Sequence, residues 1–298
     1  MKKIILLFSI TLISASFCNA QEWFTSFDVA KRLAVVQDKM LFVMWEESLD
    51  YYYPIMCSTE NGALIVIDLF EDNRMDALIW EHFIPVLLPE SEYSEFIKES
   101  KGEKGSRYMA KLNDDSIKIM DINGRILNTT PLYENEQNLS SLIKNYALNT
   151  SFLKQELINY SKKENFTTSF NLASKYVDYA IFVQKKIRFE IIALANIYFD
   201  DSKRYLMAGN LKNKEEILQR LDLFAIKELL ILDKPRKALR LLKRIDKEGV
   251  KDINQSIYSF LNYTTFKLLK EEDNAALWES KISEIDLKKA GFIIKNNI

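Results

Sequence analysis

Near residue 150 the hydrophobic pattern of this chain changes period, and that change limits the fold more than any motif does. Before it, short apolar runs of strand length alternate with helical patterns, and Pro54, Pro85, Pro89 and Pro131 punctuate them. After it, one 3.6-residue period follows another with a single proline, Pro235. Alternating strands and helices build a helix-covered sheet, whereas successive helical periods build an all-α unit. The sequence therefore predicts an α/β domain over 21–149 and an all-α domain over 150–298, with the boundary between Tyr146 and Phe152.

Residues 1–20 carry a different pattern. Lys2 and Lys3 precede an apolar stretch from Ile4 to Phe17, and Cys18-Asn19-Ala20 sets small side chains where a signal peptidase cuts. A cleaved signal peptide is expected, and with it a periplasmic or secreted protein. Lipid attachment at Cys18 is the less favoured alternative, because bulky Phe17 precedes it. No later run approaches the about 20 apolar residues of a membrane span, so no integral membrane segment is expected after cleavage.

Cys57 is then the one thiol left, so no intramolecular disulfide can form and stability must come from packing. A hydrophobic content of 48% is enough for a large core. The chain holds 41 basic and 42 acidic residues; loss of Lys2 and Lys3 brings the net charge to about −3, a balance that points away from nucleic acid. A basic stripe at Lys234–Lys247 lies on a helical pattern followed by acids, and a solvated face is expected there.

Within the first part, Ser26–Asp38 reads as an amphipathic helix capped by Ser26, and Met40–Trp45 as a strand buried on both faces. A loop is expected from Glu46 to Gly62. Ala63–Leu69 fits strand and helix equally. Next come a helix over Arg74–His82, a strand over Phe83–Leu88 despite Pro85, and a helix over Ser91–Ser100. Alternating apolar residues around Asn123-Gly124 predict a tight hairpin over Ser116–Leu127. A helix over Glu136–Leu148 closes this part.

Lys39-Met40-Leu41-Phe42-Val43, Phe83-Ile84-Pro85-Val86 and Ile119-Met120-Asp121-Ile122-Asn123-Gly124-Arg125 occur in an order that resembles an exported bacterial thioredoxin-like domain. The resemblance implies a Cys-x-x-Cys after the first of these segments, with its two sulfur positions near Leu49 and Tyr52. Neither residue can exchange a disulfide. The family's cis-proline before the hairpin is also missing, with Leu112-Asn113-Asp114-Asp115 in that stretch. A degenerate active site is the consequence. In the second part, Ser169-Phe170, Tyr205-Leu206, Ala238-Leu239 and Ala276-Leu277 recur every 33 to 38 residues or so. That spacing brackets the about 34-residue repeat of tetratricopeptide arrays, which the region resembles, and an irregular bundle is the alternative.

Three groups of side chains invite a chemical reading. Cys57, between Met56 and Ser58, is a weak catalytic candidate for a thiol-dependent oxidoreductase or isomerase, though a buried inert thiol is favoured. Glu46, Glu47 and Asp50 beside Tyr51, Tyr52 and Tyr53 form a candidate surface for a protein or peptide, since aromatic residues concentrate in binding hot spots; the alternative is a loop whose tyrosines pack and whose acids are solvated. Glu71-Asp72, Asp114-Asp115 and Asp200-Asp201 are acid pairs expected in turns. His82 is the only histidine, which excludes histidine triads and multi-histidine metal sites. No cofactor and no metal are expected. The expected role is a non-catalytic, chaperone-like interaction module; a structural subunit of a cell-envelope complex is a further alternative.

Overall fold

The computed structural model describes residues 22–59, 61–94, 105–130 and 137–297. The leader read at 1–20, the second half of the helix read at Ser91–Ser100 and the start of that read at Glu136 lie outside the described residues. A small mixed sheet and its helices occupy the N-terminal part, and helices alone make up the rest. No helix among the described residues is long and apolar enough to cross a membrane.

The first helix, α1 (Phe27–Gln37), buries Phe27, Ala30 and Ala34, one stripe of a 3.6-residue period. The Ser26 side chain makes no capping bond, and the helix stops at Asp38, whose positive φ of 55° turns the chain into β1 (Leu41–Trp45). Leu41 to Met44 are completely buried. β1 is the centre of the sheet, parallel to β4 (Ile84–Leu88) and antiparallel to β5 (Lys118–Met120). Single bridges extend the sheet on both sides, Phe24 to Val86 beyond β4 and Ile126 to Met120 beyond β5.

Pro85 is tolerated inside β4 for a geometric reason. The Ile84 amide bonds Met40 O on the β1 side, while the Leu87 amide bonds Phe24 O on the other. Alternation turns the donor-less nitrogen of Pro85 toward the short Phe24 edge, where only its carbonyl is used.

Between β1 and β4 lie a 3-10 turn (Glu46–Asp50), β2 (Pro54–Ser58), β3 (Leu64–Asp68) and α2 (Asn73–His82). β2 corrects the loop expected from Glu46 to Gly62, and β3 settles the undecided segment as strand. Neither run is long or strongly patterned alone; each becomes a strand because the other supplies its ladder, in a separate antiparallel ribbon. The acid pair Glu71-Asp72 behaves as expected, with Asp72 capping α2 through the Arg74 amide at 2.9 Å. α3 (Ser106–Asn113) precedes β5, and α4 (Leu139–Tyr146) follows it.

The hairpin around Asn123-Gly124 differs from the two-residue turn predicted. The Gly124 amide bonds Asp121 O and the Asp121 amide bonds Arg125 O, both at 3.0 Å, and only Gly124 has positive φ in this turn. The Asp121 carboxylate accepts the Asn123 and Arg125 amides at 2.9 and 3.1 Å, and this local closure competes with the tighter turn.

The helical part runs α5 (Lys154–Lys162), α6 (Phe166–Tyr179), α7 (Arg188–Ala208), α8 (Lys214–Ile231), α9 (Pro235–Glu248), α10 (Gln255–Leu268), α11 (Glu272–Glu279) and α12 (Glu284–Lys295). Asn165 and Thr168 form a capping box that starts α6, and Pro235 occupies the first turn of α9 after the left-handed Asp233. The four paired marks of the repeat sit at unequal places: Ser169 near the start of α6, but Tyr205 in the last turn of α7. Asp178 on α6 holds Lys227 of α8 and, at 2.7 Å, Lys289 of α12. Among the described residues the buried apolar side chains other than Ala275 form one continuous cluster from Phe27 to Ile293.

Candidate binding surface

The carboxyl end of β1 is where a helix-covered sheet commonly presents its chemistry. Here Trp45 ends the strand, its ring 3.6 Å from that of Tyr93 and its Nε1 donating to Asp114 O at 3.2 Å. Facing it, the Asp114–Ser116 turn is pinned from below by Lys118. The buried Lys118 ammonium donates to Asp114 O, Asp114 Oδ1 and Ser116 O at 2.6, 3.0 and 2.8 Å. Burial lowers its pKa to about 8, against the opposing pull of Asp114. All three of its protons are engaged, so this lysine holds a turn rather than facing a substrate.

The chain then leaves Trp45 into the acid-and-tyrosine segment. Glu46, Glu47 and Asp50 are exposed on the 3-10 turn. Tyr51 and Tyr52 stand out at 75% and 64% exposure, whereas Tyr53 is half-buried with its ring 6.3 Å from Phe70. Sequence grouped six residues; the structure sets five of them at the surface and turns Tyr53 inward.

The ribbon continues the same surface. Ile55 and Cys57 of β2 point into the core, so the alternate residues, Pro54 and Met56, face outward. Across the ladder Val66 pairs with Met56, and Leu64 with Ser58. Leu64 and Val66 are each 60% exposed. Tyr51 and Tyr52 on the turn before the ribbon, and Leu64 and Val66 on its outer strand, are thus large side chains left in water. The hydrophobicity of Leu64–Ile67 is the sequence signal that pointed to this; its continuous apolar character read equally well as a buried strand.

Cys57 lies inside, with Sγ 3.4 Å from Ser140 Oγ on α4. Asp200-Asp201 corrects another expectation, because both acids lie within α7 rather than in a turn. Asp201 belongs to a buried polar seam that the sequence did not reveal. Its carboxylate accepts Tyr160 Oη at 2.8 Å and pairs with Arg125 at 3.5 Å and Arg204 at 2.8 Å. Asp121 accepts Tyr176 and Tyr198 Oη at 2.9 and 2.5 Å, and those two rings stack. Burial pushes the Asp121 carboxyl up, while the bonds from Tyr198, Arg125, Tyr176 and Asn123 oppose it. Glu190 extends the seam, accepting Tyr146 Oη at 2.8 Å and the Thr130 amide at 3.0 Å. These acids are sealed and fully bonded, so they join the sheet turn to α5, α6 and α7 rather than catalyse.

Two other surfaces stand out in the helical part. Arg236, Arg240, Lys243, Arg244 and Lys247 line an open groove of about 470 Å³ along one exposed face of α9, the basic stripe seen in sequence. Phe152, Phe182 and Phe292 form an exposed aromatic chain with centroids 6.1 and 5.3 Å apart. Among the described residues no group of three or more His, Cys, Asp and Glu converges as a metal site would require. Compared with known protein families, with curated proteins and with solved structures, the chain matches none.

Proposed function

We propose that this protein is an exported, non-catalytic interaction module of chaperone-like character, built on a thioredoxin-like part without its thiols and a tetratricopeptide-like helical part. The observation that carries the reading is the exposure of Tyr51 and Tyr52 on the turn and of Leu64 and Val66 on the ribbon that follows it. The order Phe24, β4, β1, β5, Ile126 across the sheet supports the thioredoxin-like comparison. So does the position of the acid-and-tyrosine turn directly after β1, where such a domain would carry its cysteines. The partner in this reading is a protein or peptide, met outside the cytoplasm.

Replacing Tyr51 and Tyr52 together by Ala is expected to change stability by less than about 1 kcal/mol, because both rings are exposed. The same double variant should lose at least about tenfold in cross-linking to partners through a photoreactive residue at Leu49, as removal of hot-spot aromatics costs roughly 1–2 kcal/mol or more each. Undiminished cross-linking would leave the tyrosines as ordinary surface.

A thiol enzyme working through Cys57 is the competing reading. With Cys57 buried against Ser140, the wild-type protein and Cys57→Ser are expected to give the same background rate of insulin reduction in dithiothreitol. A wild-type rate above background that vanishes in Cys57→Ser would establish the enzyme instead. A subunit of a cell-envelope complex is favoured only by the aromatic chain of Phe152, Phe182 and Phe292, and a cross-linker at Phe182 that captures one stoichiometric partner would select it.

A further inference from the structure

The ladder of the ribbon fixes which main-chain groups of β3 face outward. Thr59 N bonds Ala63 O at 2.8 Å and Leu69 N bonds Tyr53 O at 3.0 Å, so the hydrogen-bonded pairs alternate through Cys57 with Ile65 and Ile55 with Ile67. The amides and carbonyls of Leu64, Val66 and Asp68 therefore point away from β2. On the opposite edge the equivalent outward amide, that of Met56, is satisfied by Gln137 O at 2.6 Å. No strand pairs with the outer edge of β3 among the described residues.

Soluble proteins usually blunt such an edge with lysine, proline or a bulge. Leu64-Ile65-Val66-Ile67 has none of these. Charge selects the occupant. Residues 46–73 contain seven acids and no Lys, Arg or His, in a chain whose charges nearly balance overall. Of these, Glu46, Glu47 and Asp50 sit just before β2 begins, and Asp68 and Glu71 where β3 ends, which is the same end of the ribbon. A second copy paired through this edge would set two such segments, each with seven acids and no base, side by side.

We propose that the open edge of β3 accepts an extended peptide with alternating apolar residues and lysine or arginine at its ends, added as a third strand of the ribbon. Main-chain bonds to Leu64, Val66 and Asp68 give the register. Alternate side chains of the peptide lie beside Leu64 and Val66, and its cations meet the acids at the Tyr51 end. This deepens the interaction-module reading and rests on it.

The test uses the full chain and a fluorescent peptide of about ten residues, valine alternating with threonine between lysine ends, followed by anisotropy. Val66→Pro removes one outward amide without touching the bond between β2 and β3, and proline is accepted at that kind of edge position. Binding to wild type that falls at least about tenfold with Val66→Pro, and as much when the peptide is N-methylated at alternate residues, supports strand addition; the methylated peptide gives that answer even if Val66→Pro misfolds. Exchange of the peptide lysines for glutamate is expected to abolish binding. Equal affinity for plain and methylated peptides overturns the proposal. Absence of peptide binding also overturns it, and if sedimentation then shows a dimer that Val66→Pro dissolves, a second copy is the occupant. Cross-links from Leu49 that persist without peptide binding leave the interaction-module reading standing; loss of both removes that reading too.

Discussion

Asp121→Ala is expected to unfold at a Tm about 10 °C below wild type, the largest loss foreseen for any single polar side chain here. Asp121 is fully buried and accepts from Tyr176, Tyr198 and the amides of Asn123 and Arg125. Truncation removes the acceptor and leaves these donors in a space closed to water, at about 1–3 kcal/mol per group and less than additively, for a total of about 3–5 kcal/mol. A chain of this size converts that to roughly 2–4 °C per kcal/mol. Tyr176→Phe and Tyr198→Phe should each cost about 1–2 kcal/mol, and the double variant should cost less than their sum, because both hydroxyls serve one carboxylate. Thermal unfolding followed by circular dichroism checks this series. A loss below about 1 kcal/mol for Asp121→Ala would show that the seam does not join the sheet turn to the helices.

Glu228→Gln is expected to raise the Tm by roughly 6–12 °C at pH 8 and hardly at all at pH 4.5. Glu228 lies buried on α8, with Oε2 accepting Asn196 Nδ2 at 3.1 Å and Oε1 without a partner. Burial raises its pKa from 4.5 to about 7, with Asn196 the main opposing influence. Between these values the folded chain holds a proton that the unfolded chain has released. Stability therefore falls as pH rises from 4.5 to about 7, by about 3 kcal/mol, and stays lower above that range. Glutamine keeps the shape and never ionises, so the gain belongs to the alkaline side. A Tm difference independent of pH, or greatest in acid, would contradict the assignment.

The elements carried by strong local pattern were legible. α1, β1 and β4 appear where the apolar spacing put them, and α9 starts at its proline. What escaped depended on partners distant in sequence. Pro54–Ser58 is strand only because Leu64–Asp68 lies beside it, and the Asn123-Gly124 turn is reshaped by a carboxylate that α6 and α7 also claim. Tyr160, Tyr176 and Tyr198 lie on separate helices, and nothing in their spacing along the chain announces that their hydroxyls converge on Asp121 and Asp201. The surface around Glu46–Tyr53 was visible as unusual composition, but its extension onto Leu64 and Val66 needed the ladder, since an apolar run reads the same whether it is covered or bare.

On the proposed reading, partners meet this protein on the ribbon and its acid-and-tyrosine turn. The most direct measurement places a photoreactive residue in turn at Tyr52, Val66, Lys243 and Phe182 of the full chain, and compares the adducts formed in cells of the native host. A shared adduct from Tyr52 and Val66 that neither Lys243 nor Phe182 yields is the expected result. Adducts confined to Lys243 on the basic face of α9 or to Phe182 on the aromatic chain, with none at Tyr52 or Val66, would contradict it.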